Sequence, residues 1–270
     1  MNGYSTLSDG GVPYVVLGEQ TPSILVVPGI EPEHRVPDGL RLQGVRGAFE
    51  QLAELRSIAV AWRAVRDPQD VTIDSIAGDY VALAHELELA DLTIVGISTG
   101  CPMAIETAAR LAGRCTRLVL ISGGAFLSQQ GRALLERSVA LAQAGYWRTL
   151  AREQIAAFYP GLLGSYLLAP VAWLFPGLYG RPADVSHFVS LTTTVARTDL
   201  RNRCADVAAR SLVINGELDR FYPPDIARET ALLLADGDYV TIPGAGHGAF
   251  KSHAARIVKL LVAYLVDDQL

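Results

Sequence analysis

The chain has 270 residues, with 23 Lys and Arg against 28 Asp and Glu, a formal charge of −5. Half of the residues are hydrophobic and 19% are charged, which excludes a disordered chain, poor in apolar residues and rich in net charge. A nucleic-acid-binding domain would carry a clustered basic excess, so the acidic balance argues against that class as well. The length fits one large domain, or one domain with an elaborate insertion.

In chain order, residues 4–7 and 13–17 are short alternating segments around the turn-forming Asp9-Gly10-Gly11. They predict an antiparallel hairpin. Residues 23–27 form a continuous apolar run, the pattern of a strand buried on both faces of a parallel sheet. A helix is expected over 40–55 and a strand over 58–62. Ile73, Ile76, Ala77 and Tyr80 fall at helical spacing, and 92–95 reads as the next strand. A helix follows over 101–111, with Pro102 tolerated in its first turn and Gly113 after its end. Residues 118–121 form another buried strand. Alternation of this kind implies a parallel sheet covered by helices.

Near Gly124 the alternation stops, and helical stripes such as Trp147, Leu150, Ala151, Ile155 and Phe158 replace it. Strand patterns resume at 212–214 and 239–242, and a last helix carries Ile257, Leu260, Leu261, Tyr264 and Leu265 on one face. The middle block is therefore expected to be a helical insertion, residues 128–202, in an α/β core made of 1–127 and 203–270.

Cys101, Cys115 and Cys204 are odd in number and suit neither a zinc site nor a disulfide framework. The N-terminus lacks the basic stretch and apolar core of a secretory signal. The most apolar run, residues 166–179, falls short of the roughly 20 residues a membrane span needs, and Pro170 and Pro176 interrupt it. The expectation is a cytoplasmic protein without cofactor, metal or membrane span.

Gly96-Ile97-Ser98-Thr99-Gly100 joins a buried strand to a helix. A serine on a strained turn there projects its hydroxyl above the sheet, and small neighbours avoid clashes. The pentapeptide recurs by chance in many chains; its strand-to-helix setting is what gives it weight. A serine hydroxyl needs a base to take its proton, and the base needs an acid to orient it. His247 stands in Gly244-Ala245-Gly246-His247-Gly248, directly after a strand, where the glycines are expected to free the backbone and present the ring to a cleft. His85 lies between acidic neighbours on a helix face, His187 in the insertion, and His253 near the last helix. The acid belongs at the end of another strand. Asp219 stands there, with Glu217 as a rival closer to the strand; a turn or helix-cap role for Asp219 is the alternative.

On these residues the chain resembles the α/β-hydrolase superfamily along essentially its whole length. Ser98, Asp219 and His247 follow the family order of nucleophile, acid and histidine, each after the expected strand. The resemblance implies a mostly parallel eight-stranded sheet with a helical cap inserted after the sixth strand, which matches the block at 128–202. It also implies two oxyanion donors: the backbone N–H of Thr99, after the nucleophile, and one from Pro28-Gly29-Ile30-Glu31-Pro32, assigned to Ile30. Many members begin this loop with His-Gly, whereas Pro28-Gly29 stands here. Glu31, Glu33 and His34 are expected to be solvated loop residues. A serine at the turn argues against the dehalogenase and epoxide-hydrolase branches, which use aspartate.

The insertion holds Trp147, Phe158 and Trp173 among its aromatics. Aromatics at helical spacing are first packing residues; these three are also expected to line an apolar pocket for an acyl group. The expected function is hydrolysis of an ester, thioester or related acyl bond of a small to medium, largely apolar substrate. Acyl transfer or cyclisation through the same acyl-serine, and a non-catalytic small-molecule receptor, are the alternatives.

Overall fold

A computed structural model describes residues 3–31, 35–161, 163–175, 182 and 184–266. Eight strands form one sheet: β1 (Gly3–Leu7), β2 (Pro13–Leu17), β3 (Ile24–Val27), β4 (Ile58–Ala61), β5 (Leu92–Ile97), β6 (Cys115–Ile121), β7 (Arg210–Gly216) and β8 (Gly237–Ile242). Their order is β1-β2-β4-β3-β5-β6-β7-β8. The hairpin β1–β2 is antiparallel from Gly3 against Leu17 to Leu7 against Pro13, β2 is antiparallel to β4, and every other pairing is parallel.

The unbroken apolar runs are explained by burial on both faces. Leu25 and Val27 of β3, Ile94 of β5 and Leu118 and Leu120 of β6 enter one hydrophobic cluster. Their sequence neighbours Val26, Val95, Val119 and Ile121 enter the cluster on the opposite face. Successive strand side chains point to opposite sides, so both faces of these strands are mostly apolar. The first cluster is covered by α2 (Ile73–Glu86), α3 (Gly100–Arg110) and α9 (Pro224–Leu233), and the second by α1 (Gly39–Ala53), the short α10 (Ala249–Ser252) and α11 (Ala254–Val266). Helix α2 begins in a capping box, with Thr72 accepting from the Ser75 N–H and Ser75 accepting from the Thr72 N–H. Helix α9 has no counterpart in the sequence expectation, because its polar positions blur the apolar stripe.

Between β6 and β7 stand α4 (Gln129–Gln143), α5 (Trp147–Phe158), a π-helical turn (Leu163–Leu168), α6 (Ala169–Leu174), α7 (Val185–Arg197) and the short α8 (Arg201–Cys204). Among the described residues the segment holds no strand, only an isolated bridge of Phe126 with Asp199 at its neck. Leu135 of α4 and Leu191 and Val195 of α7 belong to the main cluster, and Thr194 Oγ1 donates to the Val71 carbonyl at 2.7 Å. By contrast, α5 and α6 pack on each other through a small cluster of Ala151, Ile155, Ala169 and Ala172. Among the described residues no helix is long and apolar enough to cross a membrane.

Candidate active site

Ser98 sits between the end of β5 and the start of α3 with a φ of 54°, in the left-handed region that a non-glycine residue adopts only under constraint. Its N–H donates to the Ile121 carbonyl at 2.8 Å, and the Cys101 N–H donates to the Ser98 carbonyl at 2.9 Å. The flanking glycines are required by close approach. A Cβ on Gly96 would stand 2.7 Å from that of Ala104, and one on Gly100 would overlap the Val27 carbonyl oxygen. The turn therefore presses strand and helix together and leaves the serine side chain at the strand ends.

The Ser98 Oγ lies 2.7 Å from Nε2 of His247, and Nδ1 of His247 lies 2.9 Å from Oδ2 of Asp219. The other Asp219 oxygen accepts from the N–H groups of Phe221 at 2.8 Å and Tyr222 at 3.1 Å. Asp219 is thus both the turn aspartate and the partner of His247: the turn fixes one oxygen and so aims the other. Ring centroids of Phe221, Phe158 and Tyr222 lie 4.5, 5.0 and 6.1 Å from that of His247. Asp219 and His247 are 3% and 7% exposed, so the pair works at low effective dielectric, where it is strong.

The rival groups stand elsewhere. Glu217 is exposed, and its Oε2 accepts from the Gly244 N–H at 2.8 Å. His85 is exposed on α2, with Arg114 Nη1 at 3.1 Å from its Nδ1. His253 pairs with Ser252 Oγ at 2.9 Å. His187 is buried on α7, where burial and the positive charge of Arg63 hold its imidazole below the usual 6.5. Cys101 is fully buried, which pushes its thiol far up the scale; it is a small core residue. Glu31 departs from the expectation of a solvated side chain: it is partly buried, and desolvation raises its carboxyl against the opposing charges of Arg41, Lys251 and Arg63. Glu33 and His34 lie outside the described residues.

Thr99 is buried at the N-terminus of α3. Ile30 is partly buried against the main cluster and against Leu141, Ala142, Leu150 and Phe188, the group that Trp147 also joins. Of the three insertion aromatics, Phe158 reaches His247, Trp147 packs against the small cluster that Ile30 also joins, and Trp173 is 40% exposed beneath the Arg148 guanidinium. Gly244 has a φ of 69° with open space around it and bends the loop as expected, whereas Gly246 and Gly248 have a different reason. Gly248 has a φ of −73°, open to any residue. A Cβ there would strike the Tyr159 ring, and one on Gly246 would overlap Pro160. They make room for the insertion rather than bend the chain.

Phe221 and Tyr222, which flank His247, and Arg63, fully buried after β4, were not singled out by sequence reasoning. The available signal for Arg63 was a charged residue directly after a fully apolar strand, at the carboxyl end of the sheet where α/β folds bind ligands.

The chain matches the model of the alpha/beta hydrolase family over residues 24–260. It is 25% identical over 202 residues to AB hydrolase superfamily protein YisY of Bacillus subtilis (strain 168), covering 71% of this chain and 72% of that one. It is 31% identical over 151 residues to the pimeloyl-[acyl-carrier protein] methyl ester esterase of Xanthomonas axonopodis pv. citri (strain 306). That match covers 56% of this chain and 53% of the relative, about half its length. Among solved structures, the enol-lactonase from Burkholderia xenovorans LB400 superposes with a TM-score of 0.78 at 20% identity, over 98% of this chain and 100% of that one. At that identity the likeness concerns the fold. With the sheet order, the Ser98 turn and the family match over residues 24–260 in agreement, the chain belongs to the alpha/beta hydrolase family.

Proposed function

We propose that this chain is a serine hydrolase that cleaves an ester, thioester or related acyl bond of a small to medium, largely apolar substrate through an acyl-serine. The observation that carries the reading is the hydrogen-bonded relay of Ser98 Oγ to His247 at 2.7 Å and His247 to Asp219 at 2.9 Å. The Ser98 hydroxyl attacks the acyl carbonyl while His247 Nε2 takes its proton. His247 then returns that proton to the departing alcohol or thiol. Asp219 accepts the Nδ1–H, which selects the tautomer that leaves Nε2 free as base and stabilises the imidazolium. Water, deprotonated by the same histidine, releases the acyl group. The oxyanion is held by the N–H groups of Thr99 and Ile30.

Residues 128–202 act as a cap that selects the acyl group, over a core of residues 1–127 and 203–270. The Phe158 ring beside His247, and Trp147 on the cluster that Ile30 also joins, support this role and favour an apolar acyl chain. The relative named for methyl ester hydrolysis supports ester cleavage within the range of bonds. A chromogenic ester and a fluorophosphonate probe test the reading together. A burst equal to the enzyme concentration and a label mapped to Ser98 are expected. A label elsewhere, or equal labelling of Ser98→Ala, defeats it, and a labelled Ser98 without turnover moves the site to the receptor reading.

A further inference from the structure

Arg63 is 1% exposed, two residues beyond the end of β4. Its guanidinium donates from Nη2 to the Pro28 carbonyl at 2.7 Å, from Nη1 to the Gly29 carbonyl at 2.9 Å and from Nε to the Met103 sulfur at 3.3 Å. Desolvating a guanidinium is expensive, so three such bonds in this place call for a reason beyond packing.

The peptide geometry supplies one. No described peptide bond is cis, and across a trans peptide the C=O and the following N–H point in opposite directions. Two successive carbonyls drawn toward Arg63 therefore turn the N–H groups of Gly29 and Ile30 away from it. Ser98 lies against this segment, since a Cβ on Gly29 would stand 3.1 Å from the Ser98 Cβ and 3.5 Å from its Oγ. Glycine leaves the segment easily turned. An inverted Gly29–Ile30 peptide would present a carbonyl oxygen, which repels an oxyanion. The third anchor, Met103, sits on α3, the helix whose N-terminus carries Thr99.

We propose that Arg63 is a positioning residue, a clamp that holds the Gly29–Ile30 peptide with its N–H toward Ser98 and ties that donor to the helix bearing the Thr99 donor. The clamp rests on the hydrolase reading of the same site. Arginine suits the task because its planar fork holds two carbonyls at fixed spacing, which a lysine ammonium on a flexible stem does not.

The test compares wild type, Arg63→Met and Arg63→Lys, each with its active sites titrated to completion by a fluorophosphonate. For Arg63→Met, kcat per titrated site should fall by about 10²–10³, the cost of losing one oxyanion donor, with KM within about twofold. Inhibition by a trifluoromethyl ketone, whose Ser98 adduct carries an oxyanion, should weaken by the same factor, while the pH–rate profile keeps its shape. Arg63→Lys should lose about tenfold, as for one hydrogen bond; it carries the test if the methionine variant does not fold. A merely structural arginine would lower the melting temperature and the titratable fraction with kcat per site unchanged, and that result overturns the clamp alone. A wild type that does not label at Ser98 removes the hydrolase reading and the clamp with it.

Discussion

The N–H of Gly248 donates to the carbonyl of Phe158 at 2.9 Å, which fastens the residue after His247 to the last residue of α5. The loop that carries His247 is thereby held from two sides, by the end of β8 and by the insertion. Its geometry relative to Ser98 depends on how α5 is seated.

Gly248→Ala tests that dependence. The new Cβ would stand 2.5 Å from the Tyr159 ring, so either α5 or the loop must shift. An overpacking cost of about 1–3 kcal/mol is expected in urea unfolding, with a fall in kcat larger than any rise in KM. A variant with the wild-type midpoint and turnover would show that α5 yields freely and does not set the loop.

Asp219→Asn should leave the fold intact and lower turnover by roughly 10⁴, because the wrong imidazole tautomer is then favoured. Ser98→Ala should cost on the order of 10⁶. Glu217→Gln only exchanges a carboxylate for an amide oxygen as acceptor of the exposed Gly244 N–H, so stability should stay within about 0.5 kcal/mol and turnover close to wild type. Steady-state kinetics of the three variants on one chromogenic ester decide; a crippled Glu217→Gln beside a mild Asp219→Asn would exchange their roles.

Phe158, beside His247, and the exposed Trp173 test which part of the helical segment meets the acyl group. Phe158→Ala should change the preference among acyl chains by about 1–3 kcal/mol in relative kcat/KM. Trp173→Ala should leave the preference order alone and cost about 0.5–1 kcal/mol of stability through the lost Arg148 contact. A shift in acyl preference from Trp173→Ala would place substrate on the outer face of α6.

Hydrogen exchange should divide the insertion. Residues 163–174 rest on a small separate cluster, whereas α7 shares the main core and holds Val71 through Thr194. Amides of 163–174 should therefore exchange faster than those of 185–197 under native conditions. Equal protection would mean that the whole insertion opens as one unit.

His187 gives the protein a pH-dependent contribution of known sign. Burial first, and the charge of Arg63 second, depress its imidazole below 6.5, with Asp184 opposing. Above 6.5 both folded and unfolded states are neutral and nothing changes. As pH falls below 6.5 the unfolded chain takes up a proton that the folded chain resists, so stability is lost down to the folded pKa. The urea midpoint of wild type should drop more steeply than that of His187→Gln between pH 7 and 5.5. Parallel slopes would remove this histidine from the account.

The strands were legible because burial on both faces of a parallel sheet leaves an uninterrupted apolar run, as at Ile24–Val27 and Leu118–Ile121. Ser98 and Asp219 were legible because each follows such a run, and His247 because it follows the edge strand β8, each in a turn with its own local chemistry. Arg63 was not: its partners Pro28, Gly29 and Met103 are about 35 to 40 residues away in sequence, and nothing local signals a carbonyl clamp. Helix α9 stayed hidden because its buried positions are few and small, Ala227, Thr230 and Ala231.

The amino-acid sequence by itself determined the order of the strands along the chain, the helical stretch between β6 and β7 and the three residues drawn into one relay, since all of these depend on periodicity and turn chemistry within short windows. Only the tertiary structure decided which insertion aromatic meets His247. Helical periodicity marks an apolar stripe but not its partner, and Phe158 and Trp173 differ only in how α5 and α6 settle on the loop. The same holds for Gly246 and Gly248. A glycine needed for bending and one needed for close approach read alike in sequence, and the neighbour that decides between them, the segment Phe158-Tyr159-Pro160, is brought there by folding alone.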